Sequence, residues 1–243
     1  MMIVNADDWG RSRGETDSAL ACFSAGRVTS VSAMVFMEDS SRAASLAKDA
    51  GIDVGLHLNL SERFTGKVPS ERLTECHNRI VRFLGRNKYS QLIYSPSLRK
   101  AFRHVFEAQR EEFLRLYGKP PSHVDGHQHM HLCSNMLLGA VIPAGEKVRR
   151  SFSFWPGEKS LLNRTYRRLV DWWLARRYRL TDYFFALSQQ LHRDRLTRVG
   201  RLARTANVEL MTHPAQPEEY AVLRSEDYLE AMKDVPVGSY AAL

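Results

Sequence analysis

Short apolar runs alternate with helical stretches along nearly the whole chain, and this alternation limits the fold more than any other feature of the 243 residues. Met2 to Ala6 reads as a buried strand ending at Asp7-Asp8-Trp9-Gly10, and helical spacing follows from about Thr16 to Ser24, with Gly26 as its stop. Val28 to Phe36 is a second strand, Ser40 to Ala50 an alanine-rich helix closed by Gly51, and Val54 to Leu60, carrying His57, a third strand. Strands separated by helices pair in parallel, because only a crossover of that length brings the chain back in the same direction.

Residues 61–95 are polar and lack periodicity apart from an apolar patch near Ile80 to Leu84, so a long lid or substrate-binding loop is expected there. Phe102, Val105, Phe106, Phe113 and Leu116 fall at helical spacing within Ser97 to Tyr117, and Gly118 ends that helix. A fourth strand and its loop occupy Ser122 to His131, followed by a helix over Asn135 to Glu146 distorted near Pro143 and a strand over Lys147 to Phe152. A basic helix (Leu161 to Tyr178), a strand (Thr181 to Leu187), a helix (Leu191 to Thr205), a strand (Val208 to Thr212) and a helix (Glu218 to Met232) complete the reading. The fold class is therefore α/β with about seven parallel strands, and no repeat or boundary divides residues 1–243, which are expected to form a single domain.

The hydrophobic fraction of 44% and charged fraction of 26% are ordinary for a globular protein, and no run approaches the roughly 18 to 20 apolar residues of a membrane span. The chain enters its first strand without a basic segment and long apolar run, so it is expected to be cytoplasmic. Cys22, Cys76 and Cys133 are odd in number and lack C-x-x-C spacing, which fits reduced thiols. The net charge of +8 lies wholly between Lys147 and Arg179, where ten Lys/Arg face only Glu158 and Asp171. Without an aromatic platform or a recognised motif, that segment does not predict nucleic-acid binding.

Chemistry gathers at the carboxyl ends of the predicted strands: Asp7 and Asp8 after the first, His57 near the end of the third, Asp125 and His127 at the fourth, His213 after the last. In parallel α/β barrels active sites are built at this end. The run S-H-V-D-G-H-Q-H-M-H (Ser122 to His131) spaces His127, His129 and His131 at every second position, with Asp125 two residues before. Either a continuous strand puts all four side chains on one face, or a strand ending at Gly126 opens into a histidine-bearing loop. Neutral imidazole is the commonest protein metal ligand, though any one of these residues alone is equally at home as a capping carboxylate or a hydrogen-bonded histidine. Side chains of adjacent aspartates diverge, so one can meet a cation while its neighbour reaches the water or substrate beside it.

N-A-D-D-W-G near the amino terminus, G-L-H-L in the third strand, H-V-D-G-H-Q-H-M-H in the middle and E-L-M-T-H-P-A near the end, in that order, resemble the YdjC-like carbohydrate deacetylases over residues 2 to about 215. The resemblance implies a distorted (β/α) barrel related to polysaccharide deacetylases, a divalent metal, and hydrolysis of an N-acetyl group from an amino sugar, free or lipid-linked. It implies Asp8, His57 and His127 as the metal ligands, and it is compatible with a homodimer. Two imidazoles and a carboxylate leave positions open for water and substrate; nitrogen donors favour Zn²⁺ over Mg²⁺, which family assignments often give.

On that basis Asp7 is expected to take the proton of the attacking water and His213 to protonate the leaving amine. Arg149 or a backbone N–H would steady the oxyanion, Asp125 would orient a histidine, and His129 or His131 would hold sugar hydroxyls. The competing readings are a metal-dependent amidohydrolase or phosphoesterase on a similar barrel, and a non-catalytic sugar-binding barrel. In the basic helix Leu162, Tyr166, Leu169, Val170, Trp173 and Leu174 share one face, while Arg164, Arg167, Arg168 and Asp171 share the other. The simple expectation is an outer helix with a solvated basic face; the sharper one is a peripheral membrane contact through 161–178.

Overall fold

The computed structural model of the protein describes residues 1–155 and 157–243. In chain order its first elements are β1 (Met2–Trp9), α1 (Arg13–Ser24), β2 (Ser30–Ala33), α2 (Ser40–Ala50) and β3 (Asp53–Leu58). Next come α3 (Glu71–Leu84), α4 (Arg99–Tyr117), β4 (Val124–Gly126), α5 (Ser134–Leu138) and α6 (Leu161–Ala175). The last are β5 (Tyr183–Ala186), α7 (Arg193–Ala203), β6 (Val208–Thr212), α8 (Pro217–Leu223), α9 (Glu226–Met232) and β7 (Val237–Gly238). The fold is α/β with parallel strands, as the alternation predicts.

The chain divides into two compact units, and the division falls between Asp7 and Asp8. The first unit comprises Met1–Asp7, Asp17–Val31 and Gly145–Leu243. Within it β6 pairs parallel with β1 from Met2↔Val208 to Ala6↔Thr212 and with β5 from Tyr183↔Val208 to Ala186↔Met211. The two-residue β7 pairs with β1 at Met2↔Val237. Every residue of β1 and β6 is buried, so the polar Asn5 and Glu209 within them lie in the interior along with the apolar positions.

The second unit comprises Asp8–Thr16 and Ser32–Ala144. Its β3 and β4 pair parallel with Leu56↔Val124, His57↔Asp125 and Leu58↔Gly126 in register. A Cβ on Gly55 would run into the His123 ring, so the two strands approach only because that position is glycine.

Several elements depart from expectation for identifiable reasons. The supposed loop at 61–95 contains α3, whose buried stripe is Leu73, His77, Ile80 and Leu84, capped by the Ser70 hydroxyl accepting from Leu73 N. His77 completes an apolar stripe that looks broken when histidine is counted as polar. Its ring stacks on Phe64 at 3.8 Å, Nε2–H donates to Asn59 O at 3.1 Å, and burial pushes its pKa down to about 4. The helix expected over Asn135 to Glu146 stops at Leu138, and Ala140 follows with φ 47°. The strand expected over Lys147 to Phe152 is reduced to one bridge, Lys147↔Arg179, because Ser151 N donates to the Asp171 carboxylate at 2.9 Å. The helix expected over Glu218 to Met232 is two, with Ser225 accepting from Tyr228 N to start α9.

The basic helix α6 is rotated away from its apolar pattern, with Val170 and Trp173 only half-buried. Asp171 and Leu174 are buried, whereas Leu162, Tyr166 and Leu169 are exposed. Asp171 is held inward by four hydrogen bonds, from Ser151 N, Ser151 Oγ, Arg150 Nε and Arg150 Nη2 at 2.7 to 3.2 Å. A carboxylate so fully engaged outweighs the preference of two leucines and a tyrosine for the interior.

Candidate active site

β1 remains a strand through both aspartates, but Asp8 has φ 66°, a left-handed conformation a non-glycine residue adopts only when its surroundings hold it there. In the second unit its Oδ1 lies 2.9 Å from His127 Nδ1 and 3.3 Å from His57 Nε2. The ligand atoms of Asp8, His57 and His127 all lie within 4.8 Å of one another, and all three residues are buried. The outer nitrogens are occupied as well. His57 Nδ1 is 2.8 Å from Asp125 Oδ1, and His127 Nε2 is 3.4 Å from Glu62 Oε2.

Those outer contacts set the tautomers. With Nδ1–H donated to Asp125, neutral His57 aims its Nε2 lone pair at Asp8; with Nε2–H turned to Glu62, neutral His127 aims Nδ1 there too. Two nitrogen lone pairs and a carboxylate oxygen then converge on one spot. A divalent cation satisfies that arrangement, and so does a proton on either ring; the donor set therefore fits a metal ion. Where a proton rather than a cation stands on the inner ring nitrogens, hydrogen bonds from His127 and His57 outweigh the burial that works against the Asp8 charge and hold the carboxyl well below the usual carboxylate range.

The support beneath this cluster is itself braced. Asp125 is fully buried and its Oδ2 accepts from Ser32 Oγ at 2.7 Å. Glu62 receives Arg11 Nε and Nη2 at 3.0 Å each, and Arg11 Nη1 stands 3.8 Å from Asp8 Oδ2. Glu62 and Arg11 carry no spacing signal; only their places just after β3 and β1, where the other polar residues collect, mark them.

The three histidines after Asp125 do not act as one group. β4 stops at Gly126, and Gln128 and His129 take left-handed φ of 53° and 59°, so the chain turns immediately after His127. His129 and His131 lie outside the Asp8 group, with their rings 6.4 Å apart. A Cβ at Gly126 would stand 2.9 Å from His131 N, so this tight return requires glycine. Of the two arrangements open in the sequence, the histidine-bearing loop is the one found. Cys133, beside this loop, caps α5, and burial pushes its thiol up to about 11.

In the first unit Asp7 meets a different partner. Arg149 Nη1 and Nη2 donate to its two oxygens at 2.7 Å each, and Asn5 Nδ2 donates to Oδ1 at 2.9 Å. Asn5 is fixed in turn by Ser30 Oγ at 2.8 Å. Arg149 is fully buried, donates through Nε to Glu209 Oε1 at 2.7 Å, and lies 5.0 Å from the centre of the Phe184 ring. Tyr240 hydroxyl closes the chain by donating to Glu209 Oε2. The guanidinium expected to face an oxyanion is thus spent on two carboxylates, and its evident effect is to hold Asp7 in one orientation.

His213 directly follows Thr212, the register partner of Ala6, as Asp7 follows Ala6, so it stands beside Asp7 at the carboxyl ends of paired strands. Its backbone N–H donates to Glu219 Oε2 at 2.7 Å, Thr212 Oγ1 donates there at 2.9 Å, and its Nδ1 is 3.7 Å from Glu219 Oε1. Glu209 and Glu219 went unnoticed in the sequence because a lone glutamate in a strand or a first helical turn has no distinguishing pattern.

A carbohydrate deacetylase of Homo sapiens is 31% identical over an alignment covering 89% of this chain and 75% of that protein. A chitooligosaccharide deacetylase of Serratia marcescens is 31% identical over 54% of this chain and 51% of that protein, so the chain spans about half of that relative. Among solved structures, a protein of Enterococcus faecalis provisionally described as a cellobiose-phosphate cleavage protein superposes with a TM-score of 0.69 at 17% identity, covering 99% of this chain and 97% of that one, which shows a shared fold. The family model described as YdjC-like protein matches residues 1–236, and the chain belongs to that family.

Proposed function

We propose that this protein, acting through one YdjC-like domain, is a metal-dependent carbohydrate N-deacetylase that hydrolyses the N-acetyl group of an amino sugar. The observation that carries the reading is the convergence of Asp8, His57 and His127, with both imidazoles turned by Asp125 and Glu62 so that lone pairs face one point. The names of the human and Serratia relatives support an acetylated carbohydrate, and a chitin-type oligosaccharide in particular, as the substrate.

Asp8, His57 and His127 would hold one divalent cation, Zn²⁺ in preference to Mg²⁺ on donor chemistry, which when bound supplies Lewis acidity to the amide carbonyl and to water. Asp7 accepts the proton of the attacking water. Its carboxylate is held in one orientation by Arg149 and Asn5. His213, a quarter exposed at its side chain and braced through Glu219, donates a proton to the leaving nitrogen, which departs as an amine rather than as a strongly basic anion. Asp125 and Glu62 fix the two imidazoles, and Arg149 acts by positioning Asp7. His129, half-buried on the loop after β4, would meet sugar hydroxyls, whereas His131 is buried behind it and would serve only as support.

The test is acetate release from N-acetylglucosamine oligomers by protein stripped of metal and reloaded with zinc, magnesium or cobalt. Metal-dependent acetate production is expected. Release of phosphate from sugar phosphates without any acetate would move the protein to the phosphoesterase class.

A further inference from the structure

The rotated setting of α6 leaves an apolar stripe facing outward. Leu161 is 78% exposed, Leu162 84%, Tyr166 49%, Leu169 59% and Trp172 55%. Side chains at these spacings stand side by side on a helix: Leu162, Tyr166 and Leu169 form one row, while Leu161 and Trp172 flank the next. Scattered exposed leucines are ordinary, but five large apolar side chains on one face of a 15-residue helix are not. Nor can the stripe rotate inward, because Asp171 on the opposite face is pinned by four hydrogen bonds to Arg150 and Ser151.

Charge says what covers it. Lys159, Arg164, Arg168 and Arg176 lie in or beside the stripe, and among the described residues none of them has a carboxylate partner. Arg164 and Arg168 share the Leu161–Trp172 row, and Arg176 stacks on the Trp172 ring at 3.3 Å from its centre. Arg164 and Arg168 also line a cleft of about 160 Å³ together with Phe152, Trp155 and the Asp171 carboxylate that Arg150 and Ser151 engage. Arginine guanidinium groups beside exposed apolar side chains are donors matched to a phosphodiester.

We propose that the outer face of α6 is an interfacial surface that lies on an anionic phospholipid bilayer. The leucines, Tyr166 and Trp172 enter the boundary between headgroups and acyl chains, and the flanking arginines meet lipid phosphates. A second copy of this chain is the poorer occupant, since a two-fold contact would set the same uncompensated arginines against each other. No helix among the described residues is long and apolar enough to cross a membrane, so the contact is one of lying on the surface.

The experiment is co-sedimentation of the full chain with vesicles of phosphatidylcholine alone and of equimolar phosphatidylcholine and phosphatidylglycerol, at low and high salt. The comparison is with Leu162→Ser/Leu169→Ser and Arg164→Glu/Arg168→Glu variants, whose fold is checked by circular dichroism and whose oligomeric state is checked by sedimentation velocity. All substituted side chains are exposed or half-exposed, so the variants should fold. Salt-sensitive binding to the phosphatidylglycerol vesicles, weakened more than about tenfold in each double variant, is expected. The proposal is overturned by absence of binding at low salt, by binding that survives both double variants, or by a lipid-free dimer that the leucine variant dissociates.

Discussion

Asp7 rests against a permanent cation, fully buried Arg149, which grips both its oxygens, whereas its neighbour Asp8 rests against two imidazoles, with Arg11 3.8 Å away as its nearest fixed positive charge among the described residues. Two consecutive carboxylates of one strand are thereby given different work. The first is oriented by a guanidinium that it shares with Glu209. The second joins histidines whose outer nitrogens are already engaged, a donor set that could hold a cation. The left-handed φ of 66° at Asp8 is the local backbone feature that accompanies this divergence.

Removing the fixed cation should break the comparison most severely. Arg149→Met leaves Asp7 and Glu209 buried without their common partner, and chemical denaturation should show a loss of roughly 3–5 kcal/mol. A loss below about 1 kcal/mol would mean that the ion pair is dispensable and Asp7 is held by other groups.

A smaller effect separates the charged clusters from a buried group kept neutral. His77 titrates near 4 instead of 6.5 because of burial, so as pH falls the unfolded chain takes up the proton first. Its contribution is intact above pH 6.5 and is lost as pH falls from there toward 4, by about 3 kcal/mol in all. His77→Phe should flatten stability against pH in that window relative to the parent. Depressed Asp8 acts in the same sense but at lower pH, below the normal carboxylate range, and should be untouched by this substitution. Parallel pH profiles for the two proteins would remove His77 from the account.

The mildest change sharpens the second half of the comparison. Glu62→Gln keeps a hydrogen-bond acceptor beside His127 Nε2 but discards the charge that both His127 and Arg11 face. Metal affinity should drop about 10- to 100-fold in a competition titration, without loss of fold. Unchanged affinity would assign Glu62 to Arg11 alone.

What could be read from the residues follows from how each signal is carried. The parallel α/β class, the strand ends and the approach of Asp8, His57 and His127 were legible because unbroken buried runs and ordered motifs mark them. Partners that fix those groups were not: Glu62, Glu209 and Glu219 act through single carboxylates whose meaning depends on the fold. Helix α3 was hidden because His77 serves as an apolar residue by stacking on Phe64. The orientation of α6 was misread because hydrophobicity counts Leu162 and Leu169 but cannot see that Asp171 supplies the hydrogen bonds a missing strand would have supplied to Ser151.

The division of labour between the two aspartates is tested most directly by calorimetric titration of Zn²⁺ into metal-stripped Asp7→Asn and Asp8→Asn proteins, with acetate release assayed on the same samples. Asp7→Asn should bind the ion as the parent does while turnover falls about 10²- to 10⁴-fold, and Asp8→Asn should lose both. Loss of zinc binding by Asp7→Asn with its fold intact, or its retention by Asp8→Asn, would contradict the account.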